Sequence, residues 1–165
     1  MFLRMLTLLL LFGLFHSVTH ADLQVTKIAE VDGFQIPECV VVDTKNQTAY
    51  VSNVNAAVEG EGYDRFWADD GNGFISKFLV PRSSPSVRRR GKVANPSSEK
   101  LHGEDLVRSD EKFRFSGPKG MCLLGDELWV TDIDRVLIFS ISGKAEPQII
   151  HVPGAVALND MASDG

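Results

Sequence analysis

The stretch SGPKGMCLLGDELWVTDID, residues 116–134, decides the fold because much of it is repeated elsewhere in the chain. Residues 34–53, FQIPECVVVDTKNQTAYVSN, follow the same plan: a proline, an apolar run, a turn at Asp, Gly or Asn, and then an aromatic-Val-Ser/Thr-Asn/Asp run. A third, partial copy, VPGAVALNDMASDG, occupies residues 152–165. Repetition of one strand-turn-strand unit predicts a fold built from similar modules.

The rest of the chain also predicts β-strands and turns. No segment after residue 21 sustains the 3.6-residue apolar period of a helix. Apolar, β-branched or alternating runs instead recur between polar turns, which is typical of strands. These runs are residues 40–42, 48–52, 74–78, 121–124, 128–130, 136–139 and 148–152. We therefore predict an all-β chain.

The spacing of the copies indicates which all-β fold to expect. Aligned on the repeated plan, Glu38, Lys119 and Asn159 occupy one position. Lys119 and Asn159 are 40 residues apart, the length of a four-stranded β-propeller blade. Glu38 and Lys119 are 81 residues apart, so either a degenerate blade lies between them or one blade carries an insertion. We favour a polar insertion at about residues 81–112, which are rich in Pro, Ser and charge.

The N-terminus carries a segment that we exclude from the fold. Residues 1–21 contain Arg4, an uncharged apolar run over residues 5–15, and small or polar residues up to Ala21. This layout is typical of a secretory signal peptide, and the apolar run is shorter than the roughly 20 residues that span a bilayer. We predict cleavage after Ala21, a secreted or periplasmic protein without a stable membrane anchor, and a single domain over residues 22–165.

Charge and cysteine content narrow the possible partners. The net charge is −5, and the basic run at residues 88–92 stands among prolines and serines without interleaved aromatic residues. It predicts a solvated loop and not a nucleic-acid interface. Cys39 and Cys122 are compatible with a disulfide in an exported protein, but we favour two buried thiols.

A propeller would give the repeat a functional meaning. The innermost strands of all blades line one channel, so equivalent strand starts converge on the axis. Glu38, Lys119 and Asn159 would then offer a carboxylate, an ammonium and an amide to one axial site. By the alternation of a strand, Val40, Met121 and Met161 should face the same cavity, while residues one position after the repeated starts should pack between blades.

The strand starts carry a family resemblance. Four features carry it, in this order along the chain: Pro37-Glu38, the run Gly117–Met121, the segment Asp132–Val136 and the run Leu158–Asp160. In these features the chain resembles the regucalcin/gluconolactonase group, six-bladed β-propellers that include luciferin-regenerating-enzyme-like proteins. The resemblance implies that about three of six blades are present, as an incomplete propeller. We accordingly expect an N-terminal part of a longer protein that is inactive alone.

The resemblance also implies a chemistry. Members of the family hold a divalent metal, usually Ca²⁺, at the channel mouth, and their lactonases use it to polarise a lactone carbonyl. Glu38 and Asn159 match two of the family's metal ligands, and their oxygen donors suit calcium or magnesium. Lys119 and Asp160 are the expected substrate contacts, for a small-molecule lactone or sugar. No residue of the chain is assigned as the catalytic group.

Alternatives remain open at this point. A propeller can also serve as a non-catalytic binding scaffold, because a fold does not determine function. Asn159 could cap a turn through its own backbone. The acidic run at residues 69–73 lacks the spacing of an EF-hand, and the chain contains neither a G-x-S-x-G elbow nor a phosphate-binding loop.

Overall fold

The fold is all-β, as predicted. The computed structural model describes residues 27, 29–56, 66–81, 99–110 and 113–164. Within those ranges the chain forms ten strands and no α-helix. The predicted signal peptide and the basic run lie outside the described residues.

The ten strands follow one another along the chain with short turns in the second half and longer connections in the first. They are β1 Ala29–Asp32, β2 Pro37–Asp43, β3 Thr48–Asn53, β4 Phe74–Leu79, β5 Glu99–His102, β6 Glu104–Arg108, β7 Pro118–Leu124, β8 Glu127–Asp132, β9 Arg135–Ser140 and β10 Gln148–His151.

These strands form two similar antiparallel sheets and one short parallel pair. The first sheet has the order β2-β3-β4-β6, and the second has the order β7-β8-β9-β10. β1 pairs in parallel with β5, from Ala29 opposite Glu99 to Asp32 opposite His102. Each of the first two sequence copies thus supplies the first two strands of a four-stranded sheet.

The turns after β2 and β7 reverse the chain by different local means. In the first sheet the Asp43 carboxylate accepts the backbone N–H groups of Lys45 at 2.9 Å and Asn46 at 3.1 Å, as an Asx turn does. In the second sheet the chain reverses at Gly125, whose φ of 63° favours glycine.

The long spacing between the first two copies comes from one elongated repeat. The expected insertion at about residues 81–112 contains β5 and β6, and β6 completes the first sheet by pairing with β4. The sequence of this range shows few strand signals, yet it forms these two strands. Residues 54–73 separate β3 from β4, and residues 80–103 separate β4 from β6.

The core lies between the two sheets. The first sheet contributes Tyr50 and Ile75, with Cys39 and Val41 packed against them. The second contributes most of the rest, namely Met121, Leu128, Val130, Leu137 and Phe139, with Phe115 from the loop before β7. Full burial of one such side chain contributes about 1.5–3 kcal/mol, so this shared core holds the sheets face to face.

The outer face of the first sheet is not covered to the same degree. Val40 is 59% exposed and Val42 is 45% exposed. The two sheets do not close into a ring.

The cysteines are free thiols: Cys39 faces the core, while Cys122 Sγ lies 3.3 Å from Met161 Sδ. Burial raises the pKa of the Cys122 thiol.

Candidate functional site

Two equivalent hydrogen bonds bring the repeated strand starts together. The Ser52 hydroxyl of β3 donates to the Lys119 carbonyl at 2.7 Å, which ties the first sheet to the start of β7. One repeat later, the Thr131 hydroxyl of β8 donates to the Asn159 carbonyl at 2.7 Å. Ser52 directly precedes Asn53, which pairs with Pro37, and Thr131 directly precedes Asp132, which pairs with Pro118. Lys119 and Asn159 therefore occupy equivalent positions, as the alignment predicts.

Gly120 allows the third copy to approach the second sheet closely. Its backbone N–H donates to the Asn159 carbonyl at 2.6 Å. A Cβ atom at this position would lie 2.5 Å from the Asn159 oxygen and 2.7 Å from the Asp160 Cα. Because both of those atoms are backbone, a larger residue could fit only if the segment moved away.

A buried carboxylate fixes the loop that leads into Lys119. Asp132, at the end of β8, is fully buried. It accepts the backbone N–H of Ser116 at 3.1 Å and that of Gly117 at 2.6 Å. Arg135 donates to the same carboxylate from Nε at 3.1 Å and from Nη2 at 2.9 Å. These charge-assisted bonds hold Pro118 and Lys119 in place.

The segment at residues 66–73 forms a wall beside the start of β7. The Arg114 guanidinium donates to the Asp69 carbonyl at 3.1 Å, and the Ser116 hydroxyl donates to the Asp69 carboxylate. The N–H of Gly73 donates to the Phe115 carbonyl at 3.2 Å. These bonds place the aromatic rings of Phe66 and Trp67, which begin the segment, next to Lys119.

Lys119 is buried beneath those rings. The residue is 2% exposed, and its Nζ lies 4.5 Å from the centroid of the Trp67 ring and 5.5 Å from that of Phe66. Burial lowers the pKa of Lys119, while the charges of Glu38 and Asp132 act in the opposite direction. Its ammonium is thus within electrostatic reach of Glu38, its counterpart in the first copy.

The other expected site residues lie at the surface. Glu38, Asn159 and Asp160 are all exposed. Among the described residues, no group of three or more His, Cys, Asp and Glu side chains is arranged to hold a metal. Calcium takes six to eight oxygen ligands, so Glu38 and Asn159 alone do not make up such a site.

The expected direction of Met121 was wrong. Its side chain is 5% exposed and belongs to the core between the sheets, whereas Val40 is largely exposed. The register shifts between Pro118 and Met121, and a similar shift separates Pro37 from Cys39. Because both strands shift at corresponding points, the bulges do not explain this difference: Met121 packs against the first sheet, whereas Val40 lies on the uncovered outer face of that sheet.

A concave region is lined by residues of β3 to β6. Its volume is about 410 Å³, and Lys77, Leu79, Leu101 and His102 are among the residues that line it. His102 Nδ1 lies 2.7 Å from the Asp32 carboxylate, and Lys100 lies 3.0 Å from it. The side chains of Asp32, Lys100 and His102 are well exposed. These three residues therefore form a surface ion cluster. Sequence reasoning missed it because the pairing of β1 with β5 was not predicted.

The residues that the sequence reasoning missed are Asp132 and its counterpart Asn53. Both end the repeated aromatic-Val-Ser/Thr-Asn/Asp run, which was itself the available signal. Asn53 is also fully buried, and its side-chain oxygen accepts the backbone N–H of Gln35 at 2.9 Å. Gln35 stands two residues before Pro37, as Ser116 stands two residues before Pro118.

No protein-family model matches the chain, and no curated protein matches it. Over the part of the chain that the structure describes, no helix has the length and hydropathy needed to span a bilayer.

Proposed function

We propose that the two sheets are consecutive blades of a β-propeller, and that this propeller is a metal-dependent hydrolase of sugar lactones, exported from the cell. Two features support the propeller: each sheet is a four-stranded antiparallel sheet, and the third copy joins the second sheet through the same hydrogen bond that joins the second copy to the first. The family resemblance of the strand starts supports the hydrolase.

One observation carries the functional part of the proposal. The carbonyls of Lys119 and Asn159 are held by hydroxyls at equivalent positions of β3 and β8, and Glu38 is close enough to Lys119 to influence its pKa. Three segments that are distant in the sequence therefore lie near the start of β7, at one edge of the two sheets. Such convergence is what a propeller uses to build a binding site from repeats.

We assign the roles at this edge by chemistry. Glu38 contributes a carboxylate and Asn159 an amide oxygen to a divalent cation, with calcium preferred because both are hard oxygen donors. Lys119 and Asp160 contact the lactone or sugar. The two oxygen side chains are contributors to a metal site and not the whole of it.

The test is a calcium titration by calorimetry, with hydrolysis of glucono-δ-lactone followed in parallel, in a version of the protein that carries all six blades. We expect Glu38→Gln to weaken calcium binding at least tenfold and to reduce hydrolysis with it, because the substitution removes the negative charge and keeps the shape. Glu146→Gln, at an exposed position before β10, is the matched control and should change neither.

Each result decides between the two function classes. Calcium binding that is equal in the parent chain and in Glu38→Gln would refute the metal site. Calcium binding that depends on Glu38 without any lactone hydrolysis would refute the hydrolase and favour a calcium-binding scaffold.

A further inference from the structure

Lys119 carries a buried ammonium without a hydrogen-bond partner. Of the buried side-chain nitrogen and oxygen atoms in the described part of the chain, Lys119 Nζ is the one that lacks a partner. An ammonium has three N–H donors, and buried donors in native proteins are nearly always satisfied. The unpaired amine therefore requires an explanation beyond packing.

The surroundings of Lys119 favour a cation but do not use its donors. The faces of Trp67 and Phe66 attract the positive charge. Asp132 already accepts bonds from two backbone amides and from Arg135. Glu38 influences Lys119 through space. The aromatic faces and nearby carboxylates thus offset part of the cost of burying the amine and leave its N–H groups free for an additional oxygen ligand.

The position of the amine is fixed by the fold. The Lys119 carbonyl accepts the Ser52 hydroxyl, and the preceding loop is bonded to Asp132. On the other side, Gly117 packs within close contact of the Phe66 carbonyl, where an added Cβ would lie at 3.0 Å. A group held from both sides is preorganised, which is what a recognition group requires.

We propose that Lys119 recognises an anionic oxygen group, a carboxylate or a phosphate, on a sugar-derived ligand bound where the repeated strand starts meet. This inference rests on the proposed function for the location of the site and narrows its ligand to an acidic sugar. Lys119 Nζ lies beneath Trp67, so the ligand reaches the amine only when the Trp67 side chain shifts. Binding therefore changes the environment of that indole.

The test uses Trp67 as the reporter, in buffer containing EDTA so that calcium plays no part. The chain has two tryptophans, and Trp129→Phe leaves Trp67 alone. D-gluconate, 6-phosphogluconate and inorganic phosphate are the anionic probes, and D-glucose is the neutral one. We expect a saturable fluorescence change with at least one anion and none with glucose.

Variants at position 119 separate recognition from folding. Lys119→Met should weaken anion binding at least tenfold while leaving the thermal midpoint equal or higher, because an apolar side chain of similar length replaces a buried charge. Lys119→Arg should retain part of the binding. Lys144→Met, at an exposed position, is the matched control and should bind like the parent.

The outcomes are distinct from those of the calcium experiment. Preference for gluconate assigns the site to carboxylates, and preference for inorganic phosphate assigns it to phosphoryl groups. Equal binding of glucose, or unchanged anion binding in Lys119→Met, would overturn the inference. A lower thermal midpoint in Lys119→Met without anion binding to the parent would make Lys119 a structural cation held by its aromatic neighbours.

Discussion

Asn53 and Asp132 perform one structural task in the two sheets with different chemistry. Each ends the second strand of its sheet, each is fully buried, and each accepts the backbone N–H that stands two residues before a proline. Asn53 pairs across the sheet with Phe74, whereas Asp132 pairs with Arg135. The first sheet thus uses a neutral amide where the second uses an ion pair.

The difference shows what the fold requires and what it leaves open. It requires a side-chain oxygen at this position, because the loop before the proline contributes N–H groups that would otherwise be buried without a partner. It does not require a charge. A buried carboxylate needs a cation beside it, and the tight turn between β8 and β9 supplies Arg135 directly. The long connection between β3 and β4 returns instead at Phe74, over which Arg108 stacks at 3.8 Å.

Removing the charged side chain of Asp132 should destabilise the fold more than any other substitution considered below. Asp132→Ala leaves the Arg135 guanidinium and the N–H groups of Ser116 and Gly117 without their acceptor. We expect a loss of about 3–5 kcal/mol in the free energy of unfolding, the usual cost of breaking a buried ion pair. Urea unfolding at neutral pH measures it. Asp134→Ala, an exposed position two residues later, is the control, and equal losses in the two variants would refute the role of Asp132.

Removing the neutral side chain of Asn53 should lower the free energy of unfolding by less than removing that of Asp132. Asn53 donates to the Val51 carbonyl at 3.1 Å and to the Ser76 hydroxyl at 3.1 Å, in addition to accepting from Gln35. Asn53→Ala should lower the free energy of unfolding by about 2 kcal/mol, because it leaves neutral groups unsatisfied. The same urea titration gives the value. A loss as large as that of Asp132→Ala would show that charge contributes little to the difference between the sheets.

The repeated plan made most of the fold predictable. Strands β2, β3, β4 and β7 to β10 coincide with apolar or alternating runs in the sequence. For all of these strands except the exposed edge strand β10, burial between the sheets demands such residues. Strands β1, β5 and β6 were missed. β6 reads EDLVR, and its place at the edge of the sheet allows exposed charged residues, so its sequence resembles that of a polar loop.

The site was predictable only in part. The alignment located Glu38, Lys119 and Asn159, and the structure places the last two at equivalent positions. The burial of Lys119 was not predictable, because its cover consists of Phe66 and Trp67, which reach it from the long connection of the other sheet. Local sequence pattern contains no information about that contact.

The links between successive copies should have a smaller effect. The Ser52 hydroxyl also accepts the Cys39 N–H at 3.0 Å, so Ser52→Ala leaves two backbone groups without a partner. We expect a loss of about 1–2 kcal/mol. Thr131→Val should cost about 0.5–1 kcal/mol, since the Asn159 carbonyl still accepts the Gly120 N–H at 2.6 Å. Thermal unfolding of both variants shows which of the two is more destabilised. A larger loss of stability in Thr131→Val than in Ser52→Ala would contradict this prediction.

The smallest effect concerns the first turn of each sheet and depends on pH. Hydrogen bonds from Ser142, at 2.5 Å, and Ser140, at 3.1 Å, lower the pKa of Asp126 below its ordinary value of 3.8. The backbone N–H and side-chain amide of Asn46 lower the pKa of Asp43 in the same way. A lowered folded-state pKa means that the ionised form stabilises the fold above pH 3.8, and that this stabilisation disappears as the pH falls through the folded-state pKa.

Asp126→Asn should therefore unfold at lower urea than the parent chain at pH 7, and the two should converge near pH 2. Asp43→Asn should show the same trend with a smaller difference, because Asp43 bonds to its immediate neighbours and such local contacts persist in part in the unfolded chain. Asp126 instead connects the turn to the end of β9, a contact that only the folded sheet provides. Urea midpoints between pH 2 and pH 7 measure both. A difference between Asp126→Asn and the parent that grows toward low pH would contradict the assigned sign, and a larger effect at Asp43 would show that the local turn contributes more than the contact across the sheet.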